Sequence, residues 1–186
     1  VANALEQLNE KYKITKNELE ILNAEKVIFP GVGEASFAVR QLHKLNLFSA
    51  LRLEKKPLLG ICLGMQLMAD FSSEGNVTCL GIFPGEAKIF DRSKTKVPHM
   101  GWNDLEFKVV PNRDKSKLFE GINNGAKFYF AHSYYLPENQ YSTSTSDNGI
   151  KFSASMEREN FYGVQFHPEK SADAGLKLLR NFIELC

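Results

Sequence analysis

Leu58-Leu59-Gly60-Ile61-Cys62-Leu63-Gly64-Met65-Gln66 is the stretch on which the reading of this chain turns. Three apolar residues and a glycine make a short buried strand, and the residues from Met65 onward have helical character. A thiol stands at the junction, with glycine two positions away on either side. The turn from strand to helix is sharp at such an elbow. Its central residue is strained, and a side chain at either flanking position would collide with neighbouring backbone. The following helix points its free N–H groups at the sulfur, which favours a thiolate and any oxyanion formed beside it. Two readings stay open on these residues alone: a nucleophile, or a small buried cysteine packed where strand meets helix.

The same alternation extends outward. Val27-Ile28-Phe29 is a second compact apolar run, halted by Pro30-Gly31-Val32-Gly33, so a buried strand ending in a tight loop is predicted. Ser36 to Leu53 carries Phe37, Leu42, Leu45, Phe48 and Leu51, the pattern of an amphipathic helix that breaks near Asn46. Upstream, Val1, Leu5 and Leu8 predict an opening helix, Tyr12 to Thr15 a short strand, and Asn17 to Leu22 another helical turn or two. Strand, helix, strand, helix is the order of a parallel sheet with crossover helices. After Thr78 the texture turns to short strands: Gly81-Ile82, Ala87 to Phe90, Leu105 to Val110, the aromatic run Lys127 to Leu136, Ile150 to Ser155 and Phe161 to Phe166. A helix over Ala172 to Leu185, with Ser171 as its N-cap, closes the chain. Residues 1–186 thus read as one α/β domain, with a mostly parallel open sheet flanked by helices in three layers and additional antiparallel strands.

Composition agrees with a folded globular domain. Of 186 residues, 43% are apolar and 24% charged, and 23 basic side chains face 22 acidic ones for a net charge of +1. Such a balance gives no general attraction to nucleic acid or anionic lipid. No apolar run reaches the roughly 18 residues of a membrane helix, and the first ten residues lack a signal-peptide pattern. Three scattered cysteines, Cys62, Cys79 and Cys186, form no Cys-x-x-Cys pair, so a reducing cytoplasmic setting is expected, with neither zinc nor another cofactor.

A nucleophilic thiol needs a base. Among four histidines, His43 sits between Lys44 and Arg40 on a helix and reads as surface. His167 follows the apolar run Gly163-Val164-Gln165-Phe166, at the mouth of a predicted strand, and is succeeded by Pro168 and Glu169. A strand-end His-Pro-Glu can present imidazole and carboxylate together. The carboxylate then holds one ring nitrogen while the other faces a thiolate. Catalytic groups collect at the carboxyl ends of parallel strands, so the two motifs reinforce each other. Cys79 and Cys186 have no comparable surroundings and read as packing.

With these segments in hand the sequence resembles the class I (triad) glutamine amidotransferases and, within them, the glutaminase subunits of imidazole glycerol phosphate synthase. The likeness rests on Phe29-Pro30-Gly31-Val32-Gly33, Gly60-Ile61-Cys62-Leu63-Gly64-Met65-Gln66, Pro98-His99-Met100-Gly101-Trp102-Asn103, Ala131-His132-Ser133-Tyr134 and Gly163-Val164-Gln165-Phe166-His167-Pro168-Glu169, in the same order along nearly the whole chain. The resemblance implies Cys62 as nucleophile on the side-chain amide of L-glutamine, His167 as proton shuttle and Glu169 as its orienting group. It implies an oxyanion hole from Leu63 and the Gly31-Val32-Gly33 loop. It also implies that Gln66 and Glu74, four and twelve residues after the thiol, hold the amino-acid end of the substrate with the backbone of Ser133 and Tyr134. The implied partner is a (β/α)8-barrel cyclase subunit that receives the ammonia through a protected channel and makes imidazole glycerol phosphate and aminoimidazole carboxamide ribotide. His99, Met100, Trp102 and Asn103 would lie at that docking face. Arg92, Lys94 and Lys96 read as a solvated loop.

The likeness further implies a buried strand and glycine-rich turn before the first helix, whereas this chain opens with that helix. An unpaired slot near the middle of the sheet is therefore expected, and a truncated start with it. Three other functions share parts of the pattern. A paralogous glutaminase could feed a sugar-modifying synthase of surface polysaccharide pathways. A cysteine peptidase on the same sheet could use Cys62 and His167, although Gln66, Glu74 and the Trp102 segment count against it. A non-catalytic interaction module would need no reactive thiol.

Overall fold

The computed structural model describes residues 1–108 and 115–186. Its helices are α1 (Ala2–Gln7), α2 (Glu18–Leu22), α3 (Ala35–Lys44), α4 (Leu47–Arg52), α5 (Leu63–Leu67) and α6 (Ala172–Leu185). The first strands are β1 (Val27–Gly31), β2 (Leu58–Cys62), β3 (Ala69–Ser72), β4 (Val77–Thr78), β5 (Phe83–Ile89) and β6 (His99–Asp104). There follow β7 (Glu106–Phe107), β8 (Lys127–His132), β9 (Tyr134–Tyr135), β10 (Ser142–Asp147), β11 (Lys151–Arg158) and β12 (Phe161–Val164). Single 3₁₀ turns lie at Lys117–Phe119 and Pro168–Lys170.

The main sheet has six strands in the order β1-β2-β12-β11-β10-β7. β1, β2 and β12 run parallel, and the other three continue antiparallel. β2 is buried along its whole length, as befits a central strand covered on both faces. One apolar cluster joins α3, α4 and α5 to one face through Val39, Leu42, Leu51, Leu58 and Met65. Another joins α6 and β8 to the opposite face through Leu59, Ile61, Phe128, Phe130, Leu179 and Phe182. A second sheet, β4-β3-β5-β9, and the ribbon β6-β8 stand beside the main one.

Several expectations change. Among the described residues no slot interrupts the main sheet: each of the six strands bonds to the next, and β1 is an outer strand. Tyr12 to Thr15 forms no strand, because no described strand lies alongside to pair with it, and its side chains turn to local partners, Tyr12 to Glu6 and Thr15 to Glu20. The helix expected from Met65 to Phe71 ends at Leu67, and Ala69 onward pairs with β5 and β4 instead. Gly81-Ile82 is a turn whose amides bond back to the carbonyls of Ala69 and Met68. Phe37 points to solvent while Ala35, Val39 and Leu42 carry the buried face of α3. The break at Asn46 is present, in the left-handed conformation at φ 58°. Of the strand expected over Leu105 to Val110, Glu106–Phe107 is present, and 109–110 fall outside the described residues.

Ser171 precedes α6, yet its side chain makes no cap bond. Its hydroxyl donates to the His167 carbonyl (2.6 Å) and accepts from the Tyr129 N–H (2.9 Å).

Candidate active site

Register brings the site together. Gly31 of β1 lies opposite Cys62 of β2, and Val164 of β12 lies opposite Ile61. The residues just beyond these three strand ends therefore share one edge of the parallel half-sheet, the edge at which such folds place their chemistry. Cys62 ends β2 and is the residue before α5, with φ 55° and ψ −112°. That conformation costs a non-glycine residue on the order of 1–3 kcal/mol, so surrounding packing must enforce it. The flanking glycines show how. A Cβ on Gly64 would overlap the carbonyl oxygen of Phe29, and one on Gly60 would lie 2.9 Å from the main chain of Gly64 and Met65. Strand and helix thus touch backbone to backbone, which holds the thiol at the crest.

His167 and Glu169 come from the other side. The His167 N–H donates to the Tyr129 carbonyl at 2.8 Å, and its imidazole Nδ1 meets Glu169 Oε1 at 2.9 Å. The imidazole also interacts with Cys62. That interaction first, then the bond to Glu169, raises the imidazole pKa to about 9 against the opposing effect of burial. Burial pushes the Glu169 carboxyl upward, but the hydrogen bond and charge of His167 outweigh it, and the net shift is downward. Cys62 and Glu169 thus both favour the charged imidazole, which is poised to hold a proton at neutral pH.

Leu63 begins α5, where its N–H has no carbonyl a turn earlier in the helix, and it stands beside the Gly31-Val32-Gly33 loop. Gly33 has φ +99°, which a side chain would strain. Gln66 is buried, and its amide donates to the Tyr134 carbonyl (2.8 Å) and to Gln165 Oε1 (2.9 Å). Glu74 is half-buried and accepts from the Ala35 N–H at 2.8 Å. Burial raises its pKa, with Glu34 adding to the rise and the Ala35 N–H opposing it. The Ser133 carbonyl accepts from the Phe90 N–H at 3.0 Å.

The four residues expected at the docking face separate by strand alternation. Met100 and Trp102 are 63% and 52% exposed. His99 and Asn103 point the other way: His99 is buried against His132, and Asn103 bonds to His99 and to the Asp147 carbonyl. His99 thus lies beneath the face that Met100 and Trp102 expose. Arg92, Lys94 and Lys96 are exposed, as is His43. Cys79 is buried and its thiol is pushed up to about 12 by that burial, consistent with packing.

Gln165 was given no role by the sequence motifs. It is fully buried, and its side-chain amide donates to Cys62 Sγ at 3.7 Å. The signal available was its position two residues before His167 at a strand end, which puts both on one face. Among the described residues no cluster of His, Cys, Asp or Glu could hold a metal, and no helix is long and apolar enough to cross a membrane.

A strained thiol, an imidazole and a carboxylate set at the end of parallel strands define a class, and comparison agrees. The family model described as "Glutamine amidotransferase class-I" matches residues 1–185, and the chain belongs to that family. Imidazole glycerol phosphate synthase subunit HisH of Bacteroides fragilis is 45% identical over 184 residues, 98% of this chain and 91% of that protein. The subunit of the same name from Mannheimia succiniciproducens is 42% identical over 181 residues, 97% of this chain and 91% of its own. Among solved structures, a glutamine amidotransferase aligns with TM-score 0.71 at 17% identity, covering 98% of this chain and 90% of the other. The glutaminase domain of Trypanosoma brucei CTPS with bound acivicin aligns with TM-score 0.64 at 17% identity, covering 98% and 85%. These last two likenesses bear on the fold.

Proposed function

We propose that this chain is the glutaminase subunit of an imidazole glycerol phosphate synthase, acting in the cytoplasm with a (β/α)8-barrel cyclase subunit. The observation that carries this reading is the grouping of the strained Cys62 with His167 and Glu169, in a chain more than 40% identical to subunits of that name. The Cys62 thiolate attacks the side-chain carbonyl carbon of glutamine, and the developing oxyanion is received by the N–H of Leu63 and the Gly31-Val32-Gly33 loop. Imidazolium His167 gives its proton to the amide nitrogen, the C–N bond breaks, and ammonia leaves a glutamyl thioester. Water then attacks the thioester carbon while His167 takes its proton, releasing glutamate and restoring the thiolate–imidazolium pair. Glu169 keeps the ring oriented and supports its charge.

Gln66, Glu74 and the backbone of Ser133 and Tyr134 would hold the amino-acid end of the substrate. An arriving α-ammonium group would offset the carboxylate charge that burial makes costly at Glu74. Ammonia passes to the cyclase subunit, whose docking would cover the exposed Met100 and Trp102.

The test is glutamate release from glutamine, by this chain alone and with the cyclase subunit carrying its nucleotide ligand. A large rise on adding the liganded partner is expected. Silence of the assembled complex would overturn the proposal.

A further inference from the structure

One polar path in the interior is not used by the triad. Asn103 Oδ1 accepts the Asp104 N–H at 2.8 Å, which fixes the amide orientation so that Nδ2 is the donor. One of its hydrogens goes to the Asp147 carbonyl (2.8 Å), the other to His99 Nε2 (3.2 Å). His99 Nε2 must therefore present a lone pair, and the ring proton of neutral His99 is on Nδ1. That proton points at His132 Nε2, 3.0 Å away. The other end gives the same answer independently. His132 Nδ1 lies 2.7 Å from the Tyr134 carbonyl, which can only accept, so His132 carries its proton on Nδ1 and offers Nε2 as a lone pair. Both rings are buried and pack among Phe90, Phe130 and Phe152. Either ring as imidazolium would set two N–H groups against each other somewhere along the path. Burial accordingly lowers the pKa of both, that of His132 to about 3.

The path ends at a junction. The Tyr134 carbonyl accepts from His132 on one side and from Gln66 Nε2 on the other. The second hydrogen of Gln66 Nε2 goes to Gln165 Oε1, which turns the Gln165 amide nitrogen toward Cys62 Sγ. Every donor and acceptor between Asn103 and the sulfur thus has one assignment.

We infer that His99 and His132 are positioning residues for the nucleophile: as neutral rings of fixed tautomer they anchor the Tyr134 carbonyl, and through Gln66 they hold the Gln165 amide as a donor to the Cys62 sulfur. The inference rests on the glutaminase reading above. The Gln165 hydrogen bond steadies the sulfur as it carries charge, and loss of any link frees the amide to turn away.

The test uses the assembled synthase and kcat for glutamine, with synthesis from added ammonium salt as the control for folding and assembly. His99→Phe keeps the ring shape and removes the donor. It should lower the glutamine-driven kcat about tenfold, the rate equivalent of one hydrogen bond, and leave the ammonium-driven rate within twofold. His99→Asn restores an N–H near the place of Nδ1 and should recover most of the rate. His99→Gln, which moves its amide to the place of Nε2, should not. Gln165→Leu should lower kcat similarly, and combining it with His99→Phe should add little, since both break one path. Equal rates for the Asn and Gln variants, or multiplying losses in the double variant, would overturn the inference. If His99→Phe folds poorly, the Asn and Gln variants decide alone. A wild-type complex without glutamine turnover would instead fault the glutaminase reading.

Discussion

The Ser171 hydroxyl donates to the His167 carbonyl oxygen at 2.6 Å, and α6 starts without a side-chain cap. The residue that local sequence marks as a helix cap is thus spent on the turn that carries the His167 imidazole, where it also accepts the Tyr129 N–H. Ser171→Ala leaves that N–H without its acceptor. It should destabilise the chain by about 1–3 kcal/mol, the cost of an unpaired buried donor, and lower glutamine turnover as the His167 turn loosens. Chemical denaturation and steady-state kinetics together check this. Unchanged turnover at reduced stability would confine Ser171 to a packing role.

Gly64 predicts a sharper loss. With Phe29 main chain where a Cβ would sit, Gly64→Ala must push β1 away from α5 or distort the elbow. Overpacking of this kind costs about 1–3 kcal/mol. Because Cys62 and the Gly31 loop lie at the same contact, glutamine turnover should fall further than stability does. A variant of full activity and wild-type melting temperature would show the contact to be slack.

The charge on His167 predicts a loss of activity at alkaline pH. The His167 pKa is raised to about 9, above the ordinary 6.5, by its interaction with Cys62 and then its hydrogen bond to Glu169. The raised value means a stabilising contribution fully present below about pH 6.5 and lost as pH climbs through about 9. In the proposed mechanism the same proton serves the departing ammonia, so kcat for glutamate release should fall on an alkaline limb near pH 9. Glu169→Gln removes the second cause and leaves the first, so the limb should move toward neutrality. An unmoved limb in that variant would separate Glu169 from the charge on the ring.

Much of this site is legible in the chain because its parts are local. The elbow needs only a strand, a thiol and two glycines within five residues, and His167-Pro168-Glu169 joins base and orienter within three. What stays hidden depends on register. The His99–His132 bond exists because β6 and β8 pair antiparallel with those residues opposite each other, a match across 33 positions of sequence that no local pattern announces. β10 escaped for a different reason. Ser142 to Ser146 carries no apolar residue, yet Ser142 pairs with Ser153 and both Thr143 and Ser144 with Ser155, so hydroxyls satisfy one another where alternation of apolar residues would normally be sought. The early strand at Tyr12 to Thr15 failed because β-rich composition forms a strand only where a neighbour supplies the ladder.

Cys62→Ala separates chemistry from assembly. It removes the sulfur but leaves the carbonyl of Ala131 and the amide of Gln165 facing a small cavity. Glutamine-driven synthesis by the complex should vanish, and synthesis from ammonium salt should continue at the wild-type rate. Loss of both would mean that the elbow is needed to hold the partner.

Trp102 gives the last prediction. Its indole stands edge-on to Tyr129 at 6.2 Å between ring centroids, on the side of β6 that also exposes Met100, so it is held in place while half its surface remains in water. An oriented, half-exposed aromatic of this kind loses little in the free chain when truncated. At a docked face such anchors commonly cost about 2 kcal/mol or more. Trp102→Ala should therefore shift the melting temperature of the isolated chain only slightly and weaken association with the cyclase subunit by at least about thirtyfold, the equivalent of that energy. Calorimetric titration of the two purified subunits reads it directly. Unaltered affinity would move the docking surface away from β6.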